Sequence, residues 1–213
     1  MSQENKFEVH RPFGPTVARF TMPDALIKTL NDYSEKIIIN KKKSKELDAG
    51  KKLAGQVTQE FDLENEFIKS SGLMEFLGNS VATWIKYSTS HQIKKFNIQS
   101  SWIVRQFKND YNPTHWHSGH VSGVGYLKVP ENLGESHQEN KRENTNGKLE
   151  LIHGSKMFLS NPTIRLKPKV GDFYFFPHYL MHNVYPFKDS DEERRSISFN
   201  AEIDRNIYDV YGH

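Results

Sequence analysis

The chain has 213 residues, of which 36% are hydrophobic and 26% charged, with a formal net charge of +3 and no cysteine. That length holds one substantial core, and the near-balanced charge does not indicate nucleic acid as a partner, because the basic surplus is confined to Lys41, Lys42, Lys43, Lys45, Lys51 and Lys52. Without cysteine there is neither a disulfide nor a thiolate metal site, so any metal falls to His, Asp or Glu; no apolar run approaches the ~20 residues that cross a bilayer, and the polar N-terminal segment lacks a signal core, which together read as a cytoplasmic protein.

The first half reads helical. Pro23 and Asp24 give a start signal, and Leu26, Ile27, Leu30, Tyr33 and Ile37 recur at helical spacing. The lysine-rich stretch 41–52 reads as an exposed connection. A second helical stripe follows in Leu73, Phe76, Leu77, Val81, Trp84, Ile85 and Tyr87, and a stripe of this kind packs on a sheet far more often than it holds a cofactor. From Phe96 onward, short runs rich in Val, Ile, Phe and Tyr alternate with Gly, Pro and Asn. The expected strands cover 97–108, 123–129, 148–153, 164–167, 172–176, 182–184 and 195–202. The polar interval 131–147 between them reads as a long loop suited to a lid or substrate rim.

Many short strands without intervening helices imply a mainly β fold with flanking helices, an antiparallel sandwich or jelly roll buttressed by the N-terminal helices. We expect a single domain over 1–213, with 1–95 as mostly helical buttress and 96–203 as jelly-roll core. Exposed strand edges or the first helix would support a homodimer.

The chemistry concentrates in two places. Residues 112–120 read NPTHWHSGH, and His182 follows the run GDFYFFP. In a strand, i and i+2 share a face, so His115 and His117 can point at one ion while Trp116 turns into packing. Pro113 biases Asn112 toward the extended backbone this requires. A neighbouring strand end would bring His182 to complete a three-histidine metal set, and imidazole alone does not choose between iron, zinc, copper and nickel. His120 competes for a ligand position, His178 reads as structural or rim-exposed, and His10, His91, His137, His153 and His213 read as ordinary surface or hydrogen-bonded histidines. Downstream, alternation in 194–200 separates the polar set Arg194, Ser196, Ser198 and Asn200 from Arg195, Ile197 and Phe199. If the apolar set packs under the helices, Arg194 faces the barrel interior, where a guanidinium fork can hold a carboxylate. A bulge would exchange Arg194 and Arg195, and a surface ion pair with Asp191, Glu192 or Glu193 is the plainer alternative.

In this order, H-x-H, SGVGYL, GDFYFFP, a distal His and R-x-S-I-S-F-N resemble the 2-oxoglutarate- and iron(II)-dependent oxygenases, in particular the branch common in bacteria and phages. The resemblance spans Trp102 to Ala201, and its specificity lies in the ordered set. It implies a double-stranded β-helix, the cupin-like jelly roll. It also implies an iron(II) held by His115 and His182, and 2-oxoglutarate gripped at its far carboxylate by Arg194 with Ser196 beside it. Tyr126 would add a hydrogen bond to the co-substrate. The activity implied is a dioxygenase that hydroxylates an organic substrate with dioxygen and releases succinate and carbon dioxide. The second ligand position departs from the pattern, with His117 where the superfamily usually has Asp or Glu. Two other readings stand beside this one: a cupin-like metalloprotein using zinc or another divalent ion for non-oxidative chemistry, and a non-catalytic jelly-roll binding module.

Overall fold

The computed structural model describes residues 7–10, 14–136, 138 and 140–211. Before the jelly roll, the chain runs through β1 (Phe7–His10), β2 (Val17–Thr21), α1 (Asp24–Ile39), α2 (Lys41–Glu46), β3 (Gln59–Asp62), α3 (Asn65–Ser70) and α4 (Leu73–Thr89). The strands β4 (Phe96–Gln106), β5 (Asn112–His115), β6 (Val121–Lys128), β7 (Leu149–Ile152), β8 (Thr163–Leu166), β9 (Asp172–Pro177), β10 (Met181–Val184) and β11 (Arg194–Ile203) follow, and α5 (Arg205–Tyr211) closes the series.

Among the described residues, eleven strands form two antiparallel sheets, a seven-stranded one ordered β1-β2-β9-β6-β11-β4-β3 and a four-stranded one ordered β5-β10-β7-β8. The fold is therefore mainly β, as expected. The two long helical stripes form α1 and α4, and both bury their apolar faces on the outer surface of the large sheet. Leu26, Leu30 and Ile37 of α1 and Leu73, Leu77, Val81 and Trp84 of α4 share one core with Phe20, Phe173, Phe175, Ile197 and Phe199. That core runs from Ala18 to Ile207 and ties the helical half to the strands. A smaller core between the sheets holds Val17, Leu149, Leu151, Phe176 and Leu180.

Strand alternation sorts these cores. In β9, Phe173 and Phe175 go to the helix side and Phe176 to the inter-sheet side, as a two-residue period requires. The glycines of SGVGYL have a steric reason: a Cβ on Gly125 would lie 2.3 Å from the Phe173 ring, so the large ring lies across β6 only because this position is bare.

Three parts of the sequence reading change. The first half also supplies strands β1, β2 and β3, which extend the large sheet at both edges. The lysine-rich stretch begins as a helix, α2, because the Asn40 side chain accepts from the Lys43 amide and caps it. Short helices α3 and α5 were not anticipated. Among the described residues, no helix is long and apolar enough to cross a membrane.

Candidate metal centre

β5 and β10 are antiparallel neighbours, and their register sets His182 opposite His115. His117 lies just beyond β5, fixed by a reciprocal clasp in which its amide donates to the His178 carbonyl at 3.0 Å and the His178 ring donates from Nδ1 to the His117 carbonyl at 2.9 Å. The three rings converge. Centroid separations are 4.3 Å for His115–His182, 5.0 Å for His115–His117 and 4.9 Å for His117–His182, and one ligand atom from each lies within 4.8 Å of the others. The site thus assembles from two adjacent strands of the small sheet plus the residue that leaves one of them.

Their hydrogen bonds select the tautomer. His115 Nδ1 meets the Pro113 carbonyl at 2.7 Å and His182 Nδ1 meets the Leu180 carbonyl at 2.8 Å. Both Nδ1 atoms therefore carry the proton and leave Nε2 as a free lone pair, the usual support for a metal-binding imidazole. His117 Nε2 lies 3.1 Å from His182 Nε2. Electrostatics favours the same neutral state. Burial, reinforced by His182 and His115, pushes His117 down to about 3, and burial with His115 pushes His182 down to about 4. Burial lowers His115 as well. Three neutral nitrogen donors at neutral pH suit a divalent transition metal.

The histidines open on a cavity of about 170 Å³ between the sheets, whose other wall carries Arg194, Ser196 and Ser198 from β11. Arg194 is 1% exposed and its guanidinium stands 5.2 Å from the Tyr126 ring centre. Tyr126, on β6, pairs with Ser196 in the register and is fully buried behind Arg194. Among the described residues, Arg194 Nε, Arg194 Nη1 and Tyr126 Oη are the buried side-chain atoms left without a hydrogen-bond partner. Buried polar groups are almost always satisfied. Three orphans at one spot, two of them on a cation, fit an anionic ligand with several acceptor oxygens.

Arg195 turns the other way, to Glu193, Glu35 and Asn31 on the helix side. β11 and β6 do shift register between Arg195 and Ser196, yet Arg194 stays on the cavity side. His120 stays out of the cluster: its Nδ1 accepts from the Ile203 amide and its ring stacks on Tyr208 at 3.9 Å. His178 is structural through its clasp and a 2.9 Å bond to the Tyr208 hydroxyl. His137 and His213 lie outside the described residues.

Two expectations fail here. Trp116 does not pack inward but is 66% exposed at the cavity mouth, because β5 ends at His115 and is an edge strand with nothing beyond it. The polar interval 131–147 does not form the rim, since none of its described residues lines the cavity. It is drawn in on itself as the Asn144 and Asn146 amides donate to the Gly134 carbonyl. The rim comes instead from Lys52, Leu53 and Ala54, and the wall includes Glu60 and Asn112; no motif marks these positions.

Residues 100–200 match the sequence family described as "Putative 2OG-Fe(II) oxygenase". That stretch, just under half of the chain, is similar to the 2-oxoglutarate- and iron(II)-dependent oxygenases. No curated protein matches. Among solved structures, this chain is similar to a prolyl-4-hydroxylase from Pseudomonas putida, with 14% identity, 92% of each chain covered and a TM-score of 0.56. It is also similar to a viral collagen prolyl hydroxylase from Paramecium Bursaria Chlorella virus-1, a 2-oxoglutarate complex, with 17% identity, 92% of this chain and 94% of the other covered, and a TM-score of 0.50. A third is the carbocyclase SnoK of nogalamycin biosynthesis, with 11% identity, 88% and 79% covered, and a TM-score of 0.56. At these identities the likeness establishes the jelly-roll fold, which hosts prolyl hydroxylation in two of the three structures and a carbocyclase in the third.

Proposed function

We propose that this oxygenase hydroxylates a carbon of an organic substrate, with His115, His117 and His182 holding iron(II) and Arg194 holding the far carboxylate of 2-oxoglutarate. The observation that carries the reading is the pairing, in one small cavity, of three neutral imidazoles with a buried arginine that has two unpartnered nitrogens. A non-oxidative zinc site would use the histidines and leave the arginine unexplained.

Iron(II), 2-oxoglutarate and dioxygen together supply the oxidation: the keto acid loses carbon dioxide and becomes succinate with one oxygen atom, and the other ends as hydroxyl on the substrate carbon, replacing its hydrogen. The chain's share is placement. Proline and leucine carbonyls lock the His115 and His182 rings. Arg194 offers two donor atoms fixed against Tyr126, so a carboxylate is gripped without reorganisation of the pocket. Ser196, one residue along the same face, offers a hydroxyl, and Tyr126 Oη a further donor behind it. Three neutral imidazoles leave the metal's double positive charge uncompensated, whereas a carboxylate ligand would halve it, and doubly negative 2-oxoglutarate offsets the whole. The inter-sheet apolar residues Leu149, Phe176 and Val184 line the remaining wall and limit water.

The continuous core supports one folding unit in which residues 1–95 brace the jelly roll, and the absence of cysteine supports a cytoplasmic setting. The strand edges at β1 and β3 are available for a homodimer. The test of the reading is succinate formation from 2-oxoglutarate by iron-loaded protein. His182→Ala is expected to remove both bound metal and turnover. Protein that carries stoichiometric iron and neither binds nor decarboxylates 2-oxoglutarate sinks the proposal.

A further inference from the structure

The wall opposite the co-substrate carries a second unpartnered group. Glu60 sits on β3, the edge strand of the large sheet, and is 3% exposed. Its neighbour Phe61 is buried on the helix side, so alternation turns Glu60 to the cavity, which it lines. It makes no hydrogen bond or ion pair with a described side chain, whereas the other deeply buried carboxylates have several; Glu150, for example, is held by Arg165, Asn183 and Tyr185. It is the one acidic residue among those lining the cavity, and it does not join the histidine cluster.

The surroundings of Glu60 are those of a cradle. A Cβ on Gly55 would lie 2.7 Å from Glu60 Oε1 and 3.1 Å from Asn112 Nδ2, so a bare backbone position brings the chain against both groups. Gln106 donates to Asn112 Oδ1 at 3.0 Å, which fixes that amide. The buried Trp102 and the exposed Trp116 line the same cavity. The only lysine lining the mouth, Lys52, faces Asp62 at 3.4 Å.

Resting on the oxygenase reading, we propose that Glu60 is the substrate-recognition residue and that the substrate presents a basic nitrogen, an amine or guanidinium, to it. A cation supplies the missing partner of a buried carboxylate, and the two indoles among the cavity's lining add aromatic surface that a cation favours. The register carries the geometry further. Glu60 pairs with Val104, and Val104 with Ser196. Two strand spacings, roughly 10 Å, therefore separate the Glu60 backbone from that of the residue at the co-substrate's end of the cavity. The nitrogen is thus held to one side of the metal, on an arm that leaves a different carbon to react. The charges also balance, since iron(II), 2-oxoglutarate, Arg194 and ionised Glu60 sum to zero before substrate enters.

The test compares wild type with Glu60→Gln, which keeps the shape and removes the charge. Manganese-loaded protein with 2-oxoglutarate is titrated calorimetrically with N-acetyl-lysine amide and N-acetyl-arginine amide, and with N-acetyl-norleucine amide as the neutral control. Manganese and 2-oxoglutarate affinities are measured separately on both proteins. The expected result is that a cationic probe binds wild type in preference to the control, that Glu60→Gln weakens it roughly 10- to 150-fold, and that metal and 2-oxoglutarate affinities are unchanged. Equal binding of cationic and neutral probes, or equal affinity in both proteins, overturns the proposal, as does a Glu60→Gln protein that loses 2-oxoglutarate along with the probe. If wild type binds the cationic probe through Glu60 yet fails to bind 2-oxoglutarate, the oxygenase reading fails and the nitrogen site stands.

Discussion

Arg194 and Arg195 are consecutive residues of one strand, both essentially inaccessible to solvent, and the two faces of the large sheet treat them in opposite ways. On the helix side, Arg195 is saturated: Glu193 takes its Nε and Nη2, Glu35 takes Nη2 at 2.9 Å and Asn31 takes Nη1 at 3.1 Å. Burial alone would raise the Glu193 carboxyl, but Arg195 and Arg105 outweigh it and hold Glu193 below the usual carboxylate range. On the inter-sheet side, Arg194 has two nitrogens with no partner, and burial lowers its own proton affinity. The contrast teaches how to read a buried charge. One whose partners are all internal belongs to the fold, and one held rigidly without partners is waiting for a ligand.

Two substitutions test that contrast by exchanging nothing but the guanidinium. Arg195→Met removes one of the two arginines that hold Glu193, leaving it Arg105 at 2.7 Å, so we expect a loss of about 1–3 kcal/mol in urea unfolding, with 2-oxoglutarate affinity preserved in whatever fraction is folded. Arg194→Met should do the reverse. Stability is held or rises, because an uncompensated buried charge is replaced by a thioether, while 2-oxoglutarate binding weakens roughly 100-fold or more. Thermal shift with manganese and 2-oxoglutarate reads the second effect directly, since stabilisation by a ligand tracks its concentration over its dissociation constant. If both variants lose stability alike, the two faces are not functionally distinct.

The sequence carries this contrast because a strand's period is two. With Ile197 and Phe199 assigned to the helix side, Arg194 and Ser196 had to face inward. The convergence of His115 and His117 was legible from the H-x-H spacing, although β5 ends at His115 and His117 is held just beyond it. The helices α1 and α4 were legible because each is long enough to repeat its apolar spacing. What escaped was short or dependent on distant pairing. β1 and β3 are four residues long and β2 five, and they lie among helical segments outside the run of short Val-, Ile-, Phe- and Tyr-rich stretches that marks the later strands, while α3 and α5 are scarcely longer. Glu60 escaped with β3: a run reading QEFD has one apolar residue, and its inward face is fixed only by pairing with β4, far along the chain. Trp116 was misread because alternation says which way a side chain points and not whether anything lies there to cover it.

Glu60 extends the comparison to a third buried charge, and its response to pH is the finest test. Burial, with a smaller contribution from Asp48, pushes its carboxyl up to about 7 from 4.5. A group whose folded proton affinity is raised binds a proton in the folded state that the unfolded state has already released. Below pH ~4.5 both states are protonated and Glu60 has no effect; as pH climbs toward 7 it increasingly favours unfolding, and above that the penalty is constant. The shift corresponds to at most about 3–4 kcal/mol. Glu60→Gln lacks this titration, so the stability difference, variant minus wild type, should rise between pH 4.5 and 7 and then level off. The titrations of His115, His117 and His182 occur in both proteins and largely cancel in that difference. Lys52 and Arg194 line the same cavity, and a carboxylate already neutralised by either would give a flat difference, which would remove Glu60 from the class to which Arg194 belongs. A difference that rises, and then shrinks when a cationic probe is added at pH 7, would mark the charge as one that a ligand completes.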